Sequence, residues 1–219
     1  MIPLFSPRPE PLIPIHGRDE GFPVARVFCV GRNYAAHAAE MGSSVDRDAP
    51  VWFTKTPAHL LPPGAPLPYP PGTADLHHEV ELVLALGPGG RLWGFAVGLD
   101  MTRRDLQTAA KAEGKPWDSA KDWEGAAIVG PLAAGRPAPD AILSLAVNGK
   151  RRQRAPLAEM VHGIDDLLRH LAALWTPMRG SLIFTGTPAG VGPVRPGDRL
   201  EAHLDGAPPL AVTVADPSG

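Results

Sequence analysis

The 219-residue sequence contains a single cysteine, Cys29. One cysteine excludes an intrachain disulfide and any cysteine-rich zinc site. There is no excess of either charge: 21 Lys and Arg stand against 23 Asp and Glu, a net charge of −2. A pI near 6.4 lacks the basic surplus that sequence-independent nucleic-acid binding needs. No apolar run approaches the ~20 residues of a membrane span. Residues 1–20 show no basic segment leading into an apolar one, so no signal peptide is expected. These absences leave a soluble, cytoplasmic protein that binds neither nucleic acid nor membrane. What is abundant is glycine and proline, 24 and 27 residues, while hydrophobic residues still make up 44%. That combination points to an ordered but loop-rich chain rather than a disordered one.

No internal repeat and no linker composition divides the chain. A Pro-rich, irregular arm is expected over residues 1–21, followed by one catalytic domain over 22–219. Val24–Val30 reads as a strand, leading into a short helix at residues 35–41 with Asn33 as its N-cap and Gly42 as its stop. So short a helix is marginal alone, and with the polar Ser43–Asp48 stretch it could serve as a lid. Val51–Thr54, His78–Leu86 and Leu92–Asp100 read as strands, the last two facing each other across Gly87–Gly90. In His78–Leu86 the two-residue period puts Val80, Leu82, Leu84 and Leu86 on one face. Thr102–Glu113 reads as a helix. Asn148-Gly149 between extended segments is a hairpin signal. Apolar residues from Ile164 to Trp175 recur at helical spacing, and strands with tight turns follow. The pattern is α+β with β dominant.

Glu79 and Glu81, two apart in a strand, share a face. Side by side they repel unless water solvates them or a cation holds them. Asp100, ending the next apolar strand, can turn inward to make a third carboxylate. Three carboxylates without cysteine favour a hard cation such as Mg²⁺ or Mn²⁺. His77 has the parity of the two glutamates and fits a place behind the ligands. His37 and Glu40 are three apart on the short helix, so the carboxylate can orient the imidazole as a general base; the alternative is a surface pair. Arg104, Gln107 and Lys121 follow Asp100 and suit a substrate carboxylate or an oxyanion. Gly186–Gly192 is not a phosphate loop, because no Gly-Lys-Ser/Thr ends it and Pro193 and Pro196 follow.

These motifs, in this order, resemble the fumarylacetoacetate hydrolase family from about Phe22 to Gly206. The carriers are Cys29–His37 (CVGRNYAAH), Leu76–Glu81 (LHHEVE), Gly98–Gln107 (GLDMTRRDLQ), Gly114–Trp117 (GKPW) before Lys121, Val147–Gly149 and Gly186–Gly192. The chain departs from the family where it reads Lys55-Thr56-Pro57 and where Trp123 and Ile128 follow Lys121. The resemblance implies a compact β-rich fold with few short helices, usually a homodimer. It implies one Mg²⁺ or Mn²⁺ per subunit, held at Glu79, Glu81 and Asp100. His37 and Glu40 match a water-activating lid pair, and with Lys121 they are the catalytic candidates. Arg104, Gln107, Lys121 and Thr187 match positions lining a 2-oxo acid pocket. Arg32, in the first motif, joins Arg104, Gln107 and Thr187 as a substrate-binding candidate. The implied activity is hydrolysis of a carbon–carbon bond in an acylpyruvate, fumarylpyruvate above others, in aromatic-acid breakdown. Oxaloacetate decarboxylation and 2-oxo diacid isomerisation are alternatives on the same scaffold. A non-catalytic module for a small acid or metal is an alternative of another class.

Overall fold

A computed structural model of the chain describes residues 1–6 and 8–216. Pro7 of the expected arm and the last three residues of the expected domain lie outside the described residues. The arm is not irregular throughout. Its second half pairs β1 (Leu12–Pro14) with β2 (Gly21–Pro23), and Ile13 and Phe22 are buried in the core. Proline at strand ends is compatible with so short an edge pair. This hairpin crosses the expected boundary after residue 21.

The chain continues through β3 (Arg26–Gly31), α1 (Ala35–Glu40), β4 (Val51–Lys55) and β5 (Leu67–Pro68). Then come β6 (Leu76–His78), β7 (Val80–Leu86), β8 (Leu92–Asp100) and β9 (Thr102–Arg103). Helices α2 (Arg104–Ala112) and α3 (Asp118–Lys121) follow, then β10 (Ala127–Val129), β11 (Ala133–Ala134), β12 (Ile142–Val147) and β13 (Lys150–Pro156). The last elements are α4 (Ile164–Leu174), β14 (Ser181–Phe184), β15 (Gly192–Pro193), β16 (Arg199–Leu204) and β17 (Leu210–Ala215). The central sheet runs β10-β8-β7-β14-β3-β4, with β11 also on β8; β14 is parallel to β3 and antiparallel to β7. A second sheet runs β13-β12-β16-β17-β5, and a small third one β15-β6-β9. This is the α+β, β-rich fold the sequence pattern suggests.

Both faces of β7 are buried. Val80, Leu82, Leu84 and Leu86 join the larger core with β12 and β16 residues, while Val83 and Ala85 join a smaller core with Ile13, Val27 and Leu182. Glu79 and Glu81 have the parity of Val83 and Ala85, so the acidic pair points into protein rather than water.

Local chemistry explains the turns. Asn148 and Gly149 have φ of 50° and 73°, the left-handed pair of a type I′ hairpin, so β13 starts at once at Lys150. In α4, Ile164, Leu167 and Leu171 are buried, and Asp166 accepts the Gly163 N–H at the helix start. The expected helix from Thr102 begins two residues later, because Leu76 and His77 pair with Arg103 and Thr102 first.

Candidate active site

Glu79 lies at the junction of β6 and β7, Glu81 one step into β7, and Asp100 at the end of β8. Antiparallel pairing sets Val80 opposite Leu99 and so brings the three acids to one end of the sheet. Each can place a carboxylate oxygen within 4.8 Å of the others, and they are 4%, 2% and 1% exposed. Burial decides against the solvated alternative.

Three cations offset this buried charge. Lys121 Nζ donates to Glu79 Oε2 at 2.7 Å, Asp100 Oδ2 at 2.8 Å and Thr102 Oγ1 at 2.7 Å. Arg104 donates to Glu79 Oε1. Lys55 Nζ is 2.9 Å from Asp100 Oδ1 without hydrogen-bond geometry, so Oδ1 is a buried acceptor with no donor. Burial opposes ionisation of Glu79, but Lys121 and Arg104 outweigh it and hold the carboxyl well below its usual range. Glu81 behaves oppositely: burial, then Asp100 and Glu79, push its carboxyl well above that range. An orphaned oxygen and an acid short of positive charge are what a divalent cation would satisfy. The all-oxygen donor set fits Mg²⁺ or Mn²⁺.

His37 is 8% exposed and its Nδ1 lies 3.4 Å from Glu40 Oε2. It is not a surface histidine. Burial lowers its pKa despite the opposing pull of Glu79 and Glu40, so the imidazole is neutral near neutral pH. With the Nδ1 proton toward Glu40, Nε2 carries the free lone pair. Glu40 also accepts the Gly190 N–H at 3.1 Å, which ties α1 to the glycine-rich loop.

His37, Arg32, Arg104, Gln107, Lys121 and Thr187 line one pocket with the triad, and Glu40 stands behind His37. The pocket adjoins a second cavity of about 340 Å³ that shares Phe53, Trp117 and Lys121. Gln107 Oε1 accepts from Arg104 at 2.5 Å. His77 stands behind Arg104, 3.4 Å from its Nε, and is 2.9 Å from Asp75. All three Lys121 ammonium hydrogens are engaged by Glu79, Asp100 and Thr102. Burial pushes the Cys29 thiol up, so it is no nucleophile.

Three positions depart from the sequence reading, or escape it. Asn33 is no N-cap: Tyr34 holds that position without a side-chain bond. Asn33 instead donates to His162 O at 3.0 Å and Thr185 O at 2.8 Å, and accepts His162 N–H at 2.7 Å. Gln153, fully buried, accepts from Val80 N and donates to Thr187 Oγ1 and Pro188 O at 2.8 Å each. Strand alternation among Arg151, Arg152 and Arg154 points Gln153 inward; no local signal marks its partners. Lys55 is likewise buried and unanticipated as part of the site.

This site and fold are those of a family. Residues 26–215 match the fumarylacetoacetate hydrolase C-terminal domain, and the chain belongs to that family. Among its relatives, the oxaloacetate tautomerase YcgM of Escherichia coli is 38% identical over 202 residues, 84% of this chain and 90% of that one. A fumarylpyruvate hydrolase of Ralstonia is 37% identical over 188 residues, covering 80% and 98%. The crystal structure of fumarylpyruvate hydrolase from Pseudomonas aeruginosa with Mn²⁺ and pyruvate superposes with a TM-score of 0.94. It is 40% identical, over 98% of this chain and 99% of that one.

Proposed function

We propose that this chain hydrolyses the carbon–carbon bond of an acylpyruvate, with fumarylpyruvate as first candidate and fumarate and pyruvate as products. The observation that carries this reading is His37, a buried neutral imidazole aligned by Glu40 in the same pocket as three buried acids. Held by Glu79, Glu81 and Asp100, a divalent cation supplies Lewis acidity toward the 2-oxo acid end of the substrate. Arg104, Gln107 and Thr187 hold that end. His37 Nε2 takes a proton from water as the water oxygen bonds to the distal acyl carbon. The bond from that carbon to the pyruvate methylene breaks, and its electron pair leaves with the pyruvate part as an enolate. The imidazolium proton passes to the methylene carbon of that enolate, giving pyruvate, while the acyl carbon keeps the water oxygen as a carboxylate. Lys121 and Lys55 keep the carboxylates in place.

A second reading uses the same pocket. The likeness to the E. coli oxaloacetate tautomerase favours proton transfer between C3 and the enol oxygen of oxaloacetate. A neutral imidazole can carry that proton. Metal-stripped protein, with and without Mn²⁺, tests both. Mn²⁺-dependent loss of fumarylpyruvate with fumarate and pyruvate formed supports hydrolysis; enol–keto exchange of oxaloacetate alone moves the function to tautomerisation.

A homodimer, a cytoplasmic location and a place in aromatic-acid breakdown belong to the same proposal. Ile2, Leu4, Phe5 and Leu12 are exposed apolar residues that a second copy would cover. Sedimentation of the full chain checks the dimer.

A further inference from the structure

Among the described residues, two cations at the pocket have no acidic partner in an ion pair. The triad's three carboxylates already face Lys55, Arg104 and Lys121. Arg32 and Lys111 line the same pocket, and among the described residues neither forms an ion pair. Arg32 Nε is buried with no hydrogen-bond partner. Its backbone has φ of 59°, a left-handed conformation costly for arginine, next to the three hydrogen bonds of Asn33 that fix it. Lys111 reaches from α2 to put its ammonium 5.2 Å from the Trp117 ring centroid. Trp117 walls the pocket beside Gly31, where an added Cβ would lie 3.5 Å from the indole. Arg32, Lys111 and Trp117 therefore line one pocket.

Burial, and then repulsion from Arg104, pushes Lys111 down to about 8, with Arg32 adding to it. Lys111 is exposed on α2, so water reaches its ammonium, but Arg104 and Arg32 still face it. A lysine pressed toward two arginines gains from an anion placed among them. The carboxylate of the 2-oxo acid end is accounted for by Arg104 and Gln107. The surplus calls for a second negative group on the ligand.

We propose that Arg32 and Lys111 form the seat of a second carboxylate, so the pocket selects 2-oxo diacids over 2-oxo monoacids. This rests on reading the pocket as a 2-oxo acid site, and does not depend on whether the acid is then hydrolysed or tautomerised. Fumarylpyruvate and oxaloacetate carry such a group; acetylpyruvate and pyruvate do not.

The test compares wild type, Lys111→Gln, Lys111→Arg and Arg32→Gln as Mn²⁺-loaded full chains. Calorimetry gives the affinity ratio for oxaloacetate against pyruvate and for 2-oxoglutarate against 2-oxovalerate. Turnover gives the kcat/KM ratio of fumarylpyruvate to acetylpyruvate. A charged hydrogen bond lost from the seat should lower at least one diacid-to-monoacid ratio by about tenfold or more in Lys111→Gln. Lys111→Arg should restore most of it. Lys111 is on the helix surface, so its variants keep the fold even if Arg32→Gln does not. All ratios unchanged in Lys111→Gln would overturn the seat. Absent turnover with the calorimetric preference intact, and lost in Lys111→Gln, would sink the hydrolase reading and keep the seat.

Discussion

The Gly186 N–H donates to Glu81 Oε2 at 2.7 Å. Through this bond the glycine-rich loop holds one of the three acids rather than a phosphate. Gly186 has φ of +97°, and an added Cβ would lie 2.7 Å from the Asn33 Cβ. Gly186→Ala should therefore cost about 1–3 kcal/mol of stability. It should also weaken Mn²⁺ binding, because the donor to Glu81 moves. Thermal unfolding and a Mn²⁺ titration check both; wild-type values in each would contradict the assignment.

A cation that binds the folded chain alone raises its unfolding temperature. Mn²⁺ should do so for wild type. Glu81→Gln and Asp100→Asn should lose most of that rise, since each removes a carboxylate from the triad. Without metal, Glu81→Gln should be nearly neutral or stabilising, because it removes a carboxyl whose pKa burial, then Asp100 and Glu79, push well up. Calorimetric scans with and without Mn²⁺ separate the two effects.

Acid should affect stability through His78. Burial lowers its pKa from 6.5 to about 4. Between these values the unfolded chain binds a proton that the folded chain does not. Stability from this group is complete above pH 6.5 and is lost as pH falls toward 4. The loss is on the order of 3 kcal/mol. His78→Gln should flatten the pH dependence in denaturant unfolding across that window.

Gln153 couples the loop to β7. Gln153→Leu strands the Val80 N–H and the Pro188 carbonyl, at about 1–3 kcal/mol for each buried group left unpaired. Freed from Gln153, Thr187 should hold substrate less well, raising KM more than it lowers kcat. Steady-state kinetics beside unfolding curves read both.

The candidate site was legible where its chemistry is local. The period of two in β7 places Glu79 and Glu81 on one face, and three-residue spacing pairs His37 with Glu40. The Asn148-Gly149 turn and α4 follow from the same short-range rules. What escaped depends on partners far along the chain. Asn33 spends its side chain on His162 and Thr185, 129 and 152 residues away, so its capping propensity is overridden. Gln153 meets Thr187 only because the hairpin packs against the loop. The arm reads as irregular from its prolines, yet Ile13 and Phe22 gain more by burial than the prolines cost.

A neutral His37 acting as the proposed base should set the acid limb of activity. Because burial lowers its pKa below 6.5, the base form persists as pH falls past that value. The limb in kcat/KM should lie below pH 6.5, and Glu40→Gln should move it lower still, since Glu40 favours the protonated ring.

The claim that His37 activates water is tested most directly by turning over fumarylpyruvate in ¹⁸O-water with Mn²⁺, using wild type and His37→Ala. One solvent oxygen should enter the new carboxylate of fumarate, and the rate should fall on the order of 10²–10⁴-fold in His37→Ala while Mn²⁺ still binds. Cleavage at the wild-type rate by His37→Ala, or fumarate free of solvent oxygen, would contradict it.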